Sequence, residues 1–135
     1  MAKPKHMILC DTNILIEFYK NNANVTKELK RIGQSKIAIS AITRAELYFG
    51  AINKMELRKI KQHLSLIHVI SLDSKISENF IELMEDYSLS HKLAIPDALI
   101  AATALAHQIE LYTLNIRDFH FISGLSLYQS TNLMG

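Results

Sequence analysis

The chain has no tryptophan, one cysteine, two prolines and four glycines. A single cysteine, Cys10, cannot close an internal disulfide, which excludes a small secreted scaffold held by cross-links. So few prolines and glycines leave little room for long irregular segments, and most of the chain is expected in regular elements with short connections. No apolar run approaches the ~20 residues that a membrane-spanning helix needs. The apolar stretch at residues 7–10 is too short for the core of a secretory signal. A large excess of one charge is missing too. The net charge of +2 is too small to announce a nucleic-acid partner by itself. Together these absences point to a soluble, cytoplasmic protein with no membrane partner.

What is present suits one compact unit. Hydrophobic residues make up 49% and charged residues 21% of 135 residues, enough to build a core, and a single domain over residues 1–135 is expected. There are no repeats and no low-complexity tract. Short apolar runs at residues 7–10, 36–39, 68–70 and 111–114 read as strands, and residues 125–128 as a fifth. Between them the patterns predict helices over 12–19, 24–32 (with Gly33 as its cap), 42–52, 56–66, 74–88 and 96–108. Alternation of this kind argues an α/β fold, a mainly parallel sheet covered by helices on both faces. In such folds ligands sit beyond the carboxyl ends of the strands.

Several acids occupy those ends or adjoin apolar segments. Asp11 directly follows the first strand in C-D-T-N, and taken alone it reads as a helix cap. Glu46, in A-I-T-R-A-E-L-Y-F-G, shares a helical face with Ile42 and Phe49, so it is expected away from solvent, where a carboxylate needs a partner. A boundary position paired with Arg44 or a lysine accounts for it equally well. Asp97 opens the helix P-D-A-L-I-A-A-T-A-L-A-H, whose residues 98–106 carry no charge. Pro96 and an acid in the first turn are ordinary helix-start features. An apolar helix of this kind nevertheless belongs inside the domain, which places Asp97 near the sheet. Thr113 and Asn115 end the fourth strand in L-Y-T-L-N, and Asp118 follows. Asp73, in S-L-D-S, reads as a turn and cap.

Each acid has a structural explanation of its own, but one sheet edge would gather Asp11, Glu46, Asp97 and Asn115 or Asp118 from four segments. Clustered carboxylates repel one another and call for a cation. Oxygen donors without cysteine or paired histidines favour Mg²⁺ or Mn²⁺ over Zn²⁺. Carboxylate-held ions of this type suit phosphodiester hydrolysis.

The motifs D-T-N, A-E-L-Y-F-G, P-D-A-L-I-A-A-T-A-L and T-L-N-I-R-D-F, in this order from Met7 to about Phe119, resemble the PIN-domain ribonucleases. More narrowly they resemble the VapC toxins of toxin–antitoxin pairs. The resemblance implies a three-layer α/β/α sandwich and Mg²⁺- or Mn²⁺-dependent cleavage of RNA. It implies that Asp11, Glu46 and Asp97 are the catalytic, metal-binding acids and that Asn13 and Thr113 support them. The family often carries a fourth acid in the last motif. Here Asn115 stands at that place and Asp118 lies just beyond, so both are candidate metal ligands. The resemblance further implies a cognate VapB-like antitoxin and a homodimer.

Among the basic residues, Arg44 and Lys92 are expected to contact substrate, because they lie close in sequence to Glu46 and Asp97. Lys54, Arg58 and Lys61 share one helical face that reads as solvated. The six histidines show no metal-ligand spacing. Two other functions fit parts of the pattern. A phosphotransfer or receiver-like domain also places acids at strand ends with Mg²⁺, but Asn13 stands where a phosphatase needs a second acid. A catalytically weak nucleic-acid-binding module, acting with a DNA-binding partner, fits the asparagine at position 115.

Overall fold

The computed structural model describes residues 6–130. Four strands form one parallel sheet: β1 (Ile8–Cys10), β2 (Ile37–Ser40), β3 (His68–Ile70) and β4 (Glu110–Tyr112), in the spatial order β3-β2-β1-β4. Six α-helices accompany them among the described residues: α1 (Thr12–Tyr19), α2 (Ala23–Ile32), α3 (Ala41–Phe49), α4 (Lys54–Leu64), α5 (Ser74–His91) and α6 (Ile95–His107). No helix among the described residues is long and apolar enough to cross a membrane.

The period of two along each strand divides the interior into two cores. Leu9, Ala38 and Leu111 pack on one face with α5 and α6, through Ile76, Leu83, Ile100 and Ala101. Ile8, Cys10, Ile37, Ile39 and Tyr112 pack on the other with α1–α4, through Ile14, Leu29, Leu47 and Leu64. The expected three-layer α/β/α sandwich is therefore the observed one. Its layering follows from the handedness of parallel crossovers. From β1 to β2 to β3 the chain steps one way across the sheet, and α1–α4 lie on one face. From β3 it returns past β2 and β1 to β4, so α5 and α6 must lie on the opposite face. The reversal leaves a crevice at the carboxyl ends of β1 and β4, the topological switch point.

Helix α6 leads into β4 and so runs antiparallel to it, which puts the start of α6 at this same edge. Its alanines let it approach α5, α3, β2 and β4 closely. Ala98, Ala101 and Ala102 are fully buried. Pro96 occupies the first turn of the helix, where its missing N–H costs nothing. Asp73 caps α5 by accepting from the Ile76 amide at 2.9 Å.

Three expectations require correction. Residues 125–128 do not form a strand; one parallel bridge, Leu111 to Leu127, joins them to β4. The hydrogen bonds are Leu111 N–H to Ser126 O and Tyr128 N–H to Leu111 O. Gly124 just before them holds φ at +83°, a turn that leaves only this short segment alongside β4. The third helix stops at Phe49, capped by Gly50, rather than running to residue 52. Phe49 is 93% exposed, so the buried side of α3 is Thr43 and Leu47, not Phe49. The last turn of α3 extends beyond the sheet edge, and nothing there covers the ring.

Close packing around α6 leads to a test. Ala101→Leu adds three carbons where there is no space, and it is expected to cost about 1–3 kcal/mol in urea unfolding. Ala45→Leu, on the exposed side of α3, is expected to change stability by less than about 0.5 kcal/mol. Equal effects of the two would contradict the packing.

Candidate active site

Asp11 leaves β1 at the crevice and is 5% exposed. Its backbone N–H donates to Tyr112 O at 2.9 Å, extending the β1–β4 ladder by one bond. As cap of α1, its Oδ1 accepts from the Thr12 amide at 2.8 Å. Its Oδ2 accepts from the Thr113 hydroxyl at 2.7 Å. Both oxygens are thus oriented by donors from the segments that directly follow β1 and β4, the two strands that flank the crevice. Burial pushes the Asp11 carboxyl up, the Thr113 and Thr12 bonds pull it down, and Glu46 and Asp118 push it up again. Cys10, one residue earlier, is fully buried, and burial raises its thiol so far that it is inert.

Glu46 projects from α3 towards α1. The Thr12 hydroxyl donates to Glu46 Oε1 at 2.6 Å. Thr12 Oγ1 also lies 3.0 Å from Thr43 Oγ1. A hydroxyl has one hydrogen, so the Thr43 hydroxyl donates to Thr12, and Thr12 donates to the carboxylate. This relay was not read from the sequence. Its signal was present in D-T-N, where the residue between the two candidates turns its hydroxyl to the third.

Asp97 lies in the first turn of α6, partly exposed. Burial raises its carboxyl, and Asp11, Asp118 and Glu46 raise it further, to about 6. The four acids therefore share one electrostatic field. Asp118 lies in a 3₁₀ turn, Ile116–Asp118, and its charge reaches both Asp11 and Asp97. Asn115 reaches the cluster through its backbone, whose N–H donates to Thr113 Oγ1 at 3.0 Å. Asn13 holds the same loop, with Oδ1 accepting from the Leu114 amide at 3.4 Å.

A groove of about 450 Å³ opens beside Asp97 and Asp118 and is lined also by Lys92, Arg117, His91 and Phe121. Lys92 thus stands next to two of the acids. Arg44 is exposed on α3, about 200° around the helix from Glu46. Arg117, unremarked in the sequence, lies in the groove because the 3₁₀ turn brings it beside Asp118.

The chemistry of this donor set fits a hard divalent cation. It is all oxygen and anionic, and among the described residues no ion pair involves any of the four acids. No three His, Cys, Asp or Glu side chains among the described residues stand close enough to enclose an ion between them. Mg²⁺ keeps several waters and needs only one or two carboxylates together with substrate phosphates.

A family model described as PIN domain matches residues 8–123. Over 122 residues the chain is 28% identical to the tRNA(fMet)-specific endonuclease VapC of Shigella flexneri, covering 87% of this chain and 92% of that protein. A chain of a toxin–antitoxin complex from Klebsiella pneumoniae superposes with a TM-score of 0.76 at 34% identity, covering 90% of this chain and 98% of that one. A chain of VapBC2 from Rickettsia felis, crystallised with a DNA fragment from their promoter, superposes with a TM-score of 0.78 at 28% identity, covering 90% and 97%.

The shared field makes a prediction about stability. Because the folded state raises the Asp97 carboxyl from 3.8 to about 6, its ionised form costs stability above that pH. The cost fades as the pH falls through 6 towards 3.8. A shift of this size is worth roughly 3 kcal/mol if unscreened, and solvent access reduces it to about 1 kcal/mol. In chelator, Asp97→Asn is therefore expected to stabilise the protein by about that amount at pH 7.5 and by much less at pH 4. Urea unfolding at the two pH values reads the difference, and a gain that does not change with pH would contradict the shift.

Proposed function

From the premise that the chain belongs to the PIN domain family, we propose that it is an endoribonuclease, the toxin of a toxin–antitoxin pair, working as a single domain. The observation that carries this reading is the set of four acids, Asp11, Glu46, Asp97 and Asp118, gathered from four segments at the switch point, none of them in an ion pair among the described residues. The VapC relatives support RNA as substrate, and the neighbouring toxin–antitoxin complexes support a VapB-type antitoxin as partner. An apolar cleft between α1, α3 and α4, lined by Ile16, Phe18, Leu47 and Ile60, would accommodate such a partner.

Asp11 and Asp97 would hold Mg²⁺ or Mn²⁺, with Asp118 as the fourth acid. Once bound, the ion would neutralise charge on the phosphate and make water a better nucleophile. The chain's own residues supply the remainder. Thr113 and the Thr12 amide keep Asp11 oriented and favour its charged form against burial. Thr12 occupies Glu46 Oε1, leaving Oε2 to accept a proton from the attacking water. The dipole of α6 favours the charged form of Asp97 against the three carboxylates near it. Water oxygen bonds to phosphorus, the phosphorus–oxygen bond to the leaving ribose breaks, and that oxygen is protonated from solvent. Lys92 lies where it would contact the substrate backbone. Arg44, turned away from Glu46, would meet only RNA that extends around α3.

The test is cleavage of a pool of cellular RNA by the purified protein, freed of any partner, with Mg²⁺, with Mn²⁺ and with chelator. Discrete fragments that require the metal are expected. Asp97→Asn is expected to abolish them, and Glu46→Gln to slow their appearance about 10²–10⁴-fold, the usual worth of a positioned proton acceptor. Cleavage by Asp97→Asn at the wild-type rate would refute this mechanism.

A further inference from the structure

The groove beside Asp97 and Asp118 contains groups that phosphodiester hydrolysis does not use. His91, the last residue of α5, stacks its imidazole on the Phe121 ring, with centroids 4.0 Å apart and planes 11° from parallel. Phe121 is itself held edge-on by Tyr87 at 5.2 Å. The Tyr87 hydroxyl accepts from the Ser123 amide at 3.1 Å, which anchors this platform to the chain beyond β4. Tyr87 and Phe121 are enough to dock α5 on that segment. His91 also meets the Tyr87 ring edge-on at 5.7 Å, yet it remains exposed. One face of its ring is covered by Phe121, and the residue as a whole is exposed beside the groove. The Ser90 hydroxyl, 2.7 Å from Nδ1, fixes the plane of the ring.

Two cations flank this platform. Lys92 caps α5 in the left-handed conformation, with φ at 53°, and the helix C-terminus alone would account for a positive charge there. Arg117 comes from a different segment, the 3₁₀ turn, and faces the same groove. Neither has an ion-pair partner among the described residues. An oriented exposed ring, two unpaired cations and a cleft of about 450 Å³, within the ~300–1,000 Å³ usual for small-ligand sites, have one ligand chemistry in common. They match a heterocyclic base joined to phosphates.

We propose that this groove is a nucleotide subsite of the RNA-binding surface. A base flanking the scissile phosphate stacks on His91, backed by Phe121, while Lys92 and Arg117 hold the neighbouring phosphates. Stacking of this kind is tolerant of base identity, since every base has a flat face. His91 is therefore an affinity and positioning residue, not a catalytic one. The proposal rests on the endoribonuclease reading.

The test uses the full chain carrying Glu46→Gln, so that probes survive, with Mg²⁺ present. Binding of two fluorescein-labelled RNA hexamers, one of adenylates and one with abasic riboses, is read by anisotropy. His91→Ala is expected to weaken the adenylate hexamer about tenfold and to leave the abasic one unchanged, while His91→Phe keeps wild-type affinity for both. Lys92→Gln and Arg117→Gln are each expected to weaken both probes and to lower the salt slope by about 0.7. Equal losses on both probes with His91→Ala, or no loss, would overturn the subsite. Binding of neither hexamer by a protein whose wild type still cleaves RNA would also overturn it, alone. Neither binding nor cleavage would overturn the endoribonuclease reading along with it.

Discussion

The hydrogen bond from the Thr113 hydroxyl to Asp11 Oδ2, at 2.7 Å, is the contact on which the rest of the site depends. It joins two residues that are 102 positions apart, one after β1 and one after β4. It exists only because those strands are neighbours. They are neighbours only because the chain reverses its direction across the sheet after β3. That reversal sends α5 and α6 to the second face and creates the second core. Asp11 would otherwise be a carboxylate buried among Ile and Leu side chains, with every reason to take up a proton. The Thr113 hydroxyl and the Thr12 amide reward the charged form and offset part of the upward push of burial.

The same bond explains why the loop after β4 is drawn in. Thr113 donates to Asp11 and accepts from the Asn115 amide, while Asn13 accepts from the Leu114 amide. The D-T-N segment and the T-L-N segment thus hold each other by two polar contacts, and a third closes the turn within T-L-N. They deliver Arg117 and Asp118 to the groove without either side chain having to make a structural bond. Helix α6 brings Asp97 to the same place from the opposite face. Its apolar length is the means: alanines at 98, 101 and 102 let it sit close against the sheet, and the position of its first turn follows.

Much of this was legible in the residues. Short apolar runs with turn residues between them specify alternating strands and helices, and three of the four acids declare themselves by following or opening such a run. What escaped depends on direction, which adjacency in sequence does not encode. Arg44 and Lys92 look alike on paper, each a few residues from an acid, yet a helix turns Arg44 away from Glu46 while the end of α5 turns Lys92 towards Asp97. Phe49 looked buried because it shares a helical face with Ile42 and Glu46, but it is the last residue of α3 and its ring is exposed. The fourth acid was uncertain because a 3₁₀ turn advances its residues differently from a strand or an α-helix. It brings the charge of Asp118 into the field of Asp11 and Asp97. Thr12 was hidden by its type, since a threonine at a helix start has a routine explanation.

The chain holds a second buried carboxylate, and the contrast shows what the first is for. Glu28 on α2 is fully buried. It accepts from the Tyr128 hydroxyl and has the Arg31 guanidinium 3.7 Å away. That is how a structural acid is accommodated inside a protein, with a cation and a donor supplied from its own chain. Asp11 is nearly as deep, but its partners are neutral. The charges nearest to it are Glu46 and Asp118, of the same sign. The fold can pair its acids, as Lys20 with Glu17 and Arg31 with Glu28 demonstrate, yet among the described residues none of these four acids is in an ion pair, although Lys92 and Arg117 line the same groove. A cluster of acids that burial and mutual repulsion push towards the protonated form, with no ion pair to any of them among the described residues, is destabilising to the protein when ionised. Such an arrangement makes physical sense when the missing positive charge arrives from outside the chain, together with the phosphate it serves.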